Sequence, residues 1–159
     1  MKNSLLKGSS FGLTSGVITT LGLMVGLHSG TGSEIAVLSG IITIAVADGL
    51  SDALGIHISE ESENVHTDKQ IWAATISTFL VKFLVALTFI IPVLLFSLSL
   101  AVIINLIWGT IILVTLSHAI ARSQNKSSLV TIAEHVGIAV VVVAVTHYLG
   151  EWVSTFRMF

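Results

Sequence analysis

Cysteine is absent from the 159 residues, and proline occurs once, at Pro92. The lack of thiols excludes a disulfide framework, a thiolate metal site and a cysteine nucleophile. Charge is also scarce. Only 10% of residues are Asp, Glu, Lys or Arg, against about 25% in ordinary soluble proteins. A net charge of -2, with no Lys/Arg cluster, excludes a basic face for nucleic acid and a strong anionic-lipid patch. What is present is apolar: 53% of residues are hydrophobic and the mean hydropathy is +0.97. A soluble chain of this size has too much surface to hide that fraction. Lipid is therefore the expected solvent.

Crossing a hydrocarbon core of about 30 Å takes about 20 apolar residues in a helix. Five stretches qualify: 11–27, 35–58, 71–95, 98–119 and 129–153. The reading is an all-α, polytopic, single-domain membrane protein over residues 1–159. Lys2 and Lys7 before the first stretch resemble the start of a secretory signal. No small-residue cleavage site follows, so the stretch is read as a mature span. Connections are short, with a tight reversal expected at Ser29 to Glu34 through Gly30 and Gly32 and an acidic linker at Ser59 to Gln70. Lys2, Lys7, Lys69, Arg122 and Lys126 fall on one side of a five-span topology and only Arg157 on the other. Because cytoplasmic loops retain Lys and Arg, this bias places the N-terminus in the cytoplasm and the C-terminus outside or in a lumen. Trp72 and Trp152 sit near span ends, as interfacial anchors do.

An ionisable side chain within a span is costly and is by default a functional hypothesis with a partner. Asp48 and Asp52 lie one helical turn apart on span two, so both carboxylates project from one face. Together they offer hard oxygen ligands to a divalent cation, or share a proton. The alternative is that one of them neutralises Lys82 of span three as a static pair. Lys82 itself reads either as an internal cation displaced by substrate or as a structural partner. Near the cytoplasmic end of span two stand His57, Glu60, Glu61, Glu63, His66 and Asp68. This set either recruits metal or forms an ordinary acidic loop. Glu134 on span five joins that entrance or simply starts a helix. His118 and His135 lie near the same side, and His28, His147 and Glu151 near the opposite one. Gly12, Gly16, Gly22 and Gly26 allow close helix approach in span one, within the chain or at a dimer face.

Several local patterns resemble the vacuolar iron transporter family. Gly12-Leu-Thr-Ser-Gly-Val-Ile-Thr-Thr-Leu-Gly-Leu-Met-Val-Gly26 is similar to a G-x-N-D-G segment ending in small residues. Ser51-Asp-Ala-Leu-Gly-Ile-His-Ile-Ser59 is similar to S-M-A-x-G-E-[YF]-x-S. Pro92 with Phe96, and the fifth span with Glu134, Gly137, Tyr148 and Gly150, extend the resemblance. It implies five spans, a homodimer, a pore lined by spans one and two across the dimer interface, and export of ferrous iron or manganese from the cytoplasm. A divalent cation would then be cargo, with no tightly bound cofactor. The pattern departs where Ser15 stands for the family's pore aspartate, Asp52 for its methionine and Ile56 for its glutamate, and where the acidic extension is short. If Asp48 and Asp52 replace the lost acid of span one, loss of the thioether favours harder cations such as Mn²⁺ or Mg²⁺, while Fe²⁺ also accepts oxygen.

The leading expectation is thus a divalent-cation transporter, plausibly exchanging metal for protons, in a cell or vacuole-like membrane. The other is a nontransporting membrane scaffold or regulatory subunit with Lys82 locking the Asp pair. No Ser/His/Asp arrangement or His-E-x-x-His helix supports an enzyme.

Overall fold

A computed structural model describes residues 2–158 of the chain. The side chains of Lys2 and Arg157, both counted in the charge bias, lie outside the described residues. The described residues form α1 (Lys2–Thr31), α2 (Glu34–Ser62), α3 (Asp68–Thr88), α4 (Ile90–Leu95), α5 (Leu98–Ser123) and α6 (Ser128–Ser154), then one 3-10 turn, Thr155–Met158. Taking α3 and α4 as one span, five segments of 26 to 29 residues are long and apolar enough to cross a membrane. At a rise of 1.5 Å per residue they measure about 39 to 44 Å, more than a hydrocarbon core of about 30 Å requires.

α1 is the hub, packing against α2, α3, α5 and α6. Its buried Val17, Leu21, Met24 and Val25 meet Val37 and Ile41 of α2, Val93 of α4 and Leu113 of α5 in one apolar core. Outward, Ile42, Val46, Leu50, Leu54 and Ile58 of α2 form one exposed apolar stripe among many. Water would penalise so continuous a surface, whereas lipid does not.

Helix ends differ from the sequence expectation because helices run on into the polar flanks. α1 continues through Gly30 to Thr31, so the reversal shrinks to Gly32 and Ser33. Gly32 takes φ +60, a conformation that costs glycine little. Ser33 then caps α2, its Oγ accepting from the Ala36 N–H at 3.3 Å. α2 likewise extends to Ser62 and α3 starts at Asp68, leaving a connection shorter than the Ser59 to Gln70 linker. Thr67 closes it, its N–H donating to Gln70 Oε1 at 2.9 Å.

The third span is not one helix. α3 stops at Thr88 and α4 resumes at Ile90, because Pro92 has no N–H to donate and its ring crowds the carbonyl four residues earlier. α5 covers the break. Asn105, fully buried, donates through Nδ2 to the Phe89 carbonyl at 2.9 Å and to Met24 Sδ at 3.2 Å. Trp108 Nε1 donates to Thr88 Oγ1 at 3.0 Å. Replacing Asn105 with Leu removes its bonds to the Phe89 carbonyl and Met24 Sδ together, and a buried polar group left without its partner predicts destabilisation of about 1–3 kcal/mol. Thermal unfolding in detergent measures this, and a variant as stable as the parent would show that the break needs no cap.

Candidate functional site

The ionisable residues of the span interiors converge on one point. Lys82, on α3, is 1% exposed, and its Nζ lies against Asp48 Oδ2 and at 2.5 Å from Asp52 Oδ2, both on α2. It also donates to Ser15 Oγ of α1 at 2.9 Å. Ser15 in turn donates to Asp52 Oδ2 at 2.6 Å. An ammonium group has three N–H donors and no acceptor; it bonds Asp52 and Ser15, and Asp48 adds an ion pair. The four-residue spacing of Asp48 and Asp52 is what lets both reach the same cation.

Lys82 reaches this point because α1 is bare where it passes. A Cβ on Gly16 would sit 3.3 Å from both the Lys82 Cα and Cγ. Gly12 lies against the Thr78 backbone one turn earlier, while Gly22 and Gly26 face Val142 and Thr146 of α6. All four glycines named from the sequence therefore meet helices of the same chain.

The two carboxylates are less enclosed than the lysine, at 32% exposure for Asp48 and 20% for Asp52. Along α2, exposed Ser39, Thr43, Ala47, Ser51 and Gly55 recur every fourth residue. Ser51 and Gly55 follow Asp48 and Asp52 by three residues each, so they are surface neighbours. The site is thus buried on the lysine side and flanked by small residues on the other.

The acidic group at the end of α2 divides. Glu60 is buried, paired with Lys7 of α1, and its Oε2 is 3.4 Å from His66 Nδ1. Glu63 Oε1 accepts from Lys7 Nζ at 3.2 Å. One ligand atom each from Glu60, Glu63 and His66 lies within 4.8 Å of the others, a spacing that can hold a metal ion. Lys7 already pairs with both carboxylates, however, and two acids with one imidazole form a generic ligand set. Glu61 and Glu134, expected beside Glu60, are exposed and stand outside this group. Adjacent helical residues point about 100° apart, so Glu61 turns away where Glu60 turns in. Glu134 is held on the outer surface of α6. His57 instead bonds Thr75 Oγ1 through Nδ1 at 2.9 Å and packs edge-on against Trp72 at 4.8 Å. His135 Nδ1 lies 2.8 Å from Ser117 Oγ.

Asn105 is the polar residue that the sequence reading passed over. Its only signal was a lone amide in an otherwise apolar run. Its contacts place it at the helix break rather than at the ionic cluster.

Lys82→Met leaves two carboxylates without their cation, and breaking a buried pair from one side predicts a loss of about 3–5 kcal/mol. Lys82→Met combined with Asp48→Asn and Asp52→Asn removes the uncompensated charge and is expected to regain most of that loss. Unfolding of the two variants in detergent compares them directly. Equal stability of Lys82→Met and the parent would show that the cluster does not hold the bundle. No protein-family model, curated protein or solved structure matches the chain.

Proposed function

We propose that this chain is a multi-pass membrane transporter of divalent cations, in which Asp48 and Asp52 hold the cation and Lys82 is the internal counter-ion that it displaces. The observation that carries the reading is the placement of one buried ammonium between two half-open carboxylates. With both acids ionised, the cluster bears one net negative charge. An arriving divalent cation reverses that charge, and release of the Lys82 proton restores neutrality. Metal entry is thereby tied to proton release by charge balance in a region where uncompensated charge is costly. Oxygen-only ligation favours hard cations, Mn²⁺ and Mg²⁺ ahead of thiophilic ions, with Fe²⁺ accepted.

Further elements of the proposal rest on the same face. A second copy packed over Ser39, Thr43, Ala47, Ser51 and Gly55 would close the open side of both carboxylates, since small residues let helices approach closely in lipid. This is the homodimer with a pore between copies that the resemblance to vacuolar iron transporters implies. Glu60 and Glu63 lie on the same helix or just beyond it, beginning about 12 Å along the axis from Asp52, and extend the carboxylate path toward the end that carries Lys7. Retention of Lys and Arg at that end supports a cytoplasmic entrance and export.

The enclosure of the Lys82 ammonium among Ser15, Asp48 and Asp52 favours one other reading, a nontransporting scaffold in which the same cluster is a permanent lock. Proteoliposomes separate the two. Transport predicts Mn²⁺ uptake that falls at least about tenfold, or ~1.4 kcal/mol of cation binding, in Asp52→Asn and in Asp48→Asn, with protons released as metal binds. Uptake unchanged by Asp52→Asn overturns the site. No metal binding by the parent, with folding intact, leaves the lock.

A further inference from the structure

A second cluster lies at the far end of α2 and shares no residue with the Lys82 site. The Glu60 side chain is fully buried there. Its Oε1 pairs with Lys7 of α1, but its Oε2 accepts no hydrogen bond among the described residues. Oε2 faces His66 Nδ1 at 3.4 Å, and that nitrogen is likewise buried and without a hydrogen bond. The same nitrogen stands 3.7 Å from Glu63 Oε2. Glu60 and His66 border a polar cavity of about 170 Å³ whose walls also include Asn3, Ser4, Lys7 and Gln70.

The chain brings His66 back over the helix end through Asn64, whose φ of +53 lies in the left-handed region that asparagine tolerates better than most residues. Buried polar atoms ordinarily find donors or acceptors. Here a carboxylate oxygen and an imidazole nitrogen are directed at one shared point instead. Ligands about 2.0–2.1 Å from a tetrahedral ion stand about 3.3–3.4 Å apart, which is the separation of Glu60 Oε2 and His66 Nδ1. Glu63 is slightly further off and half-exposed, free to close in. Pairing with Lys7 does not shut this point, because the Lys7 side chain is 46% exposed and its ammonium can move into water while Glu60 stays. Two carboxylates and one ammonium carry one net negative charge. A divalent ion beside neutral imidazole, in place of Lys7, brings the group to zero.

We infer that Glu60, Glu63 and His66 form a divalent transition-metal site, in which the ion replaces the Lys7 ammonium and solvent completes the coordination. The imidazole decides the class. It suits Zn²⁺, Fe²⁺ and their neighbours, whereas Mg²⁺ and Ca²⁺ prefer oxygen alone. Glu60 and Glu63 thereby do more than extend the carboxylate path: with His66 they retain an ion of a softer class than the oxygen-only Asp48 and Asp52 select. The site holds whether those acids transport or lock, since none of its ligands belongs to the Lys82 cluster.

Co²⁺ reports this site, because its visible absorption is intense in tetrahedral coordination and weak in water. The full chain in nanodiscs is titrated as the parent and as the triple variant Lys82→Met, Asp48→Asn, Asp52→Asn. The expected result is a saturable tetrahedral band in both, which Zn²⁺ removes and Mg²⁺ at equal concentration does not. Loss of a second-shell partner alone costs about 10–100-fold in metal affinity, so His66→Ala, on the half-buried connection, should weaken binding at least about tenfold. Lys7→Met should tighten it at least about twofold, since no ion pair has to part. Absence of a tetrahedral band in the parent would overturn the inference. So would a band that His66→Ala leaves unchanged, that Lys7→Met weakens, or that Mg²⁺ competes away as well as Zn²⁺ does. A band lost in the triple variant, with its thermal unfolding intact, would assign the ion to Asp48 and Asp52 instead.

Discussion

One ammonium group governs how the first three helices meet. Lys82 is buried, where an unpaired charge costs several kcal/mol, so no arrangement of α3 is tolerable unless acceptors are brought to it. α2 supplies two through the Asp48 and Asp52 spacing, and α1 supplies the third through Ser15. The rotation of α2 about its axis follows from this, since turning it would withdraw both carboxylates together. So does the approach of α1, which must present Gly16 rather than a side chain at the level of the lysine stem. The apolar core of Val17, Leu21, Ile41 and Val93 then fills what the ionic geometry leaves.

The same constraint explains why the acids face outward on their other side. Two carboxylates around one cation leave an excess of negative charge, which is more tolerable where the surface is open and hydroxyl-bearing than in the packed interior. Ser51 beside Asp48 and Gly55 beside Asp52 keep that side low and uncluttered. Chemistry and packing are therefore not separable at this point of the molecule. The residues that bring the first three helices together are the ones on which the proposed cation exchange rests.

Much of this was legible in the sequence, and the reasons are physical. Five apolar stretches of span length and three ionisable residues inside them stand out against a background of low charge. The helix type also followed, since a lipid-exposed backbone must satisfy its own hydrogen bonds. Rotational details were not legible. That Glu60 turns inward to Lys7 while Glu61 turns out is decided by one residue step around α2 and by the neighbour α1 places there. His57 found Trp72 and Thr75 rather than the acidic group because α3 packs on that side. The interruption at Pro92 was foreseeable from its missing donor. Asn105 was not, because nothing local connects an amide on α5 with the Phe89 carbonyl sixteen residues earlier.

The glycines of α1 have a consequence for motion. Gly8, Gly12 and Gly16 face α3 along one half of the helix, and Gly22, Gly26 and Gly30 face α6 along the other. Where large side chains interdigitate, ridges sit in grooves and a helix is held in register like a key in a lock. Here backbone meets backbone, and Gly26 and Gly150 bring two helices together with no side chain between them. Such a contact has little relief. It resists separation through dispersion and close approach but offers few steps against sliding, so these faces alone do not set the level of α1 along its own axis. That level is set instead by directional contacts at separate heights: Lys7 on Glu60, Ser15 at the Lys82 cluster, Met24 beside Asn105 and Ser29 against His147.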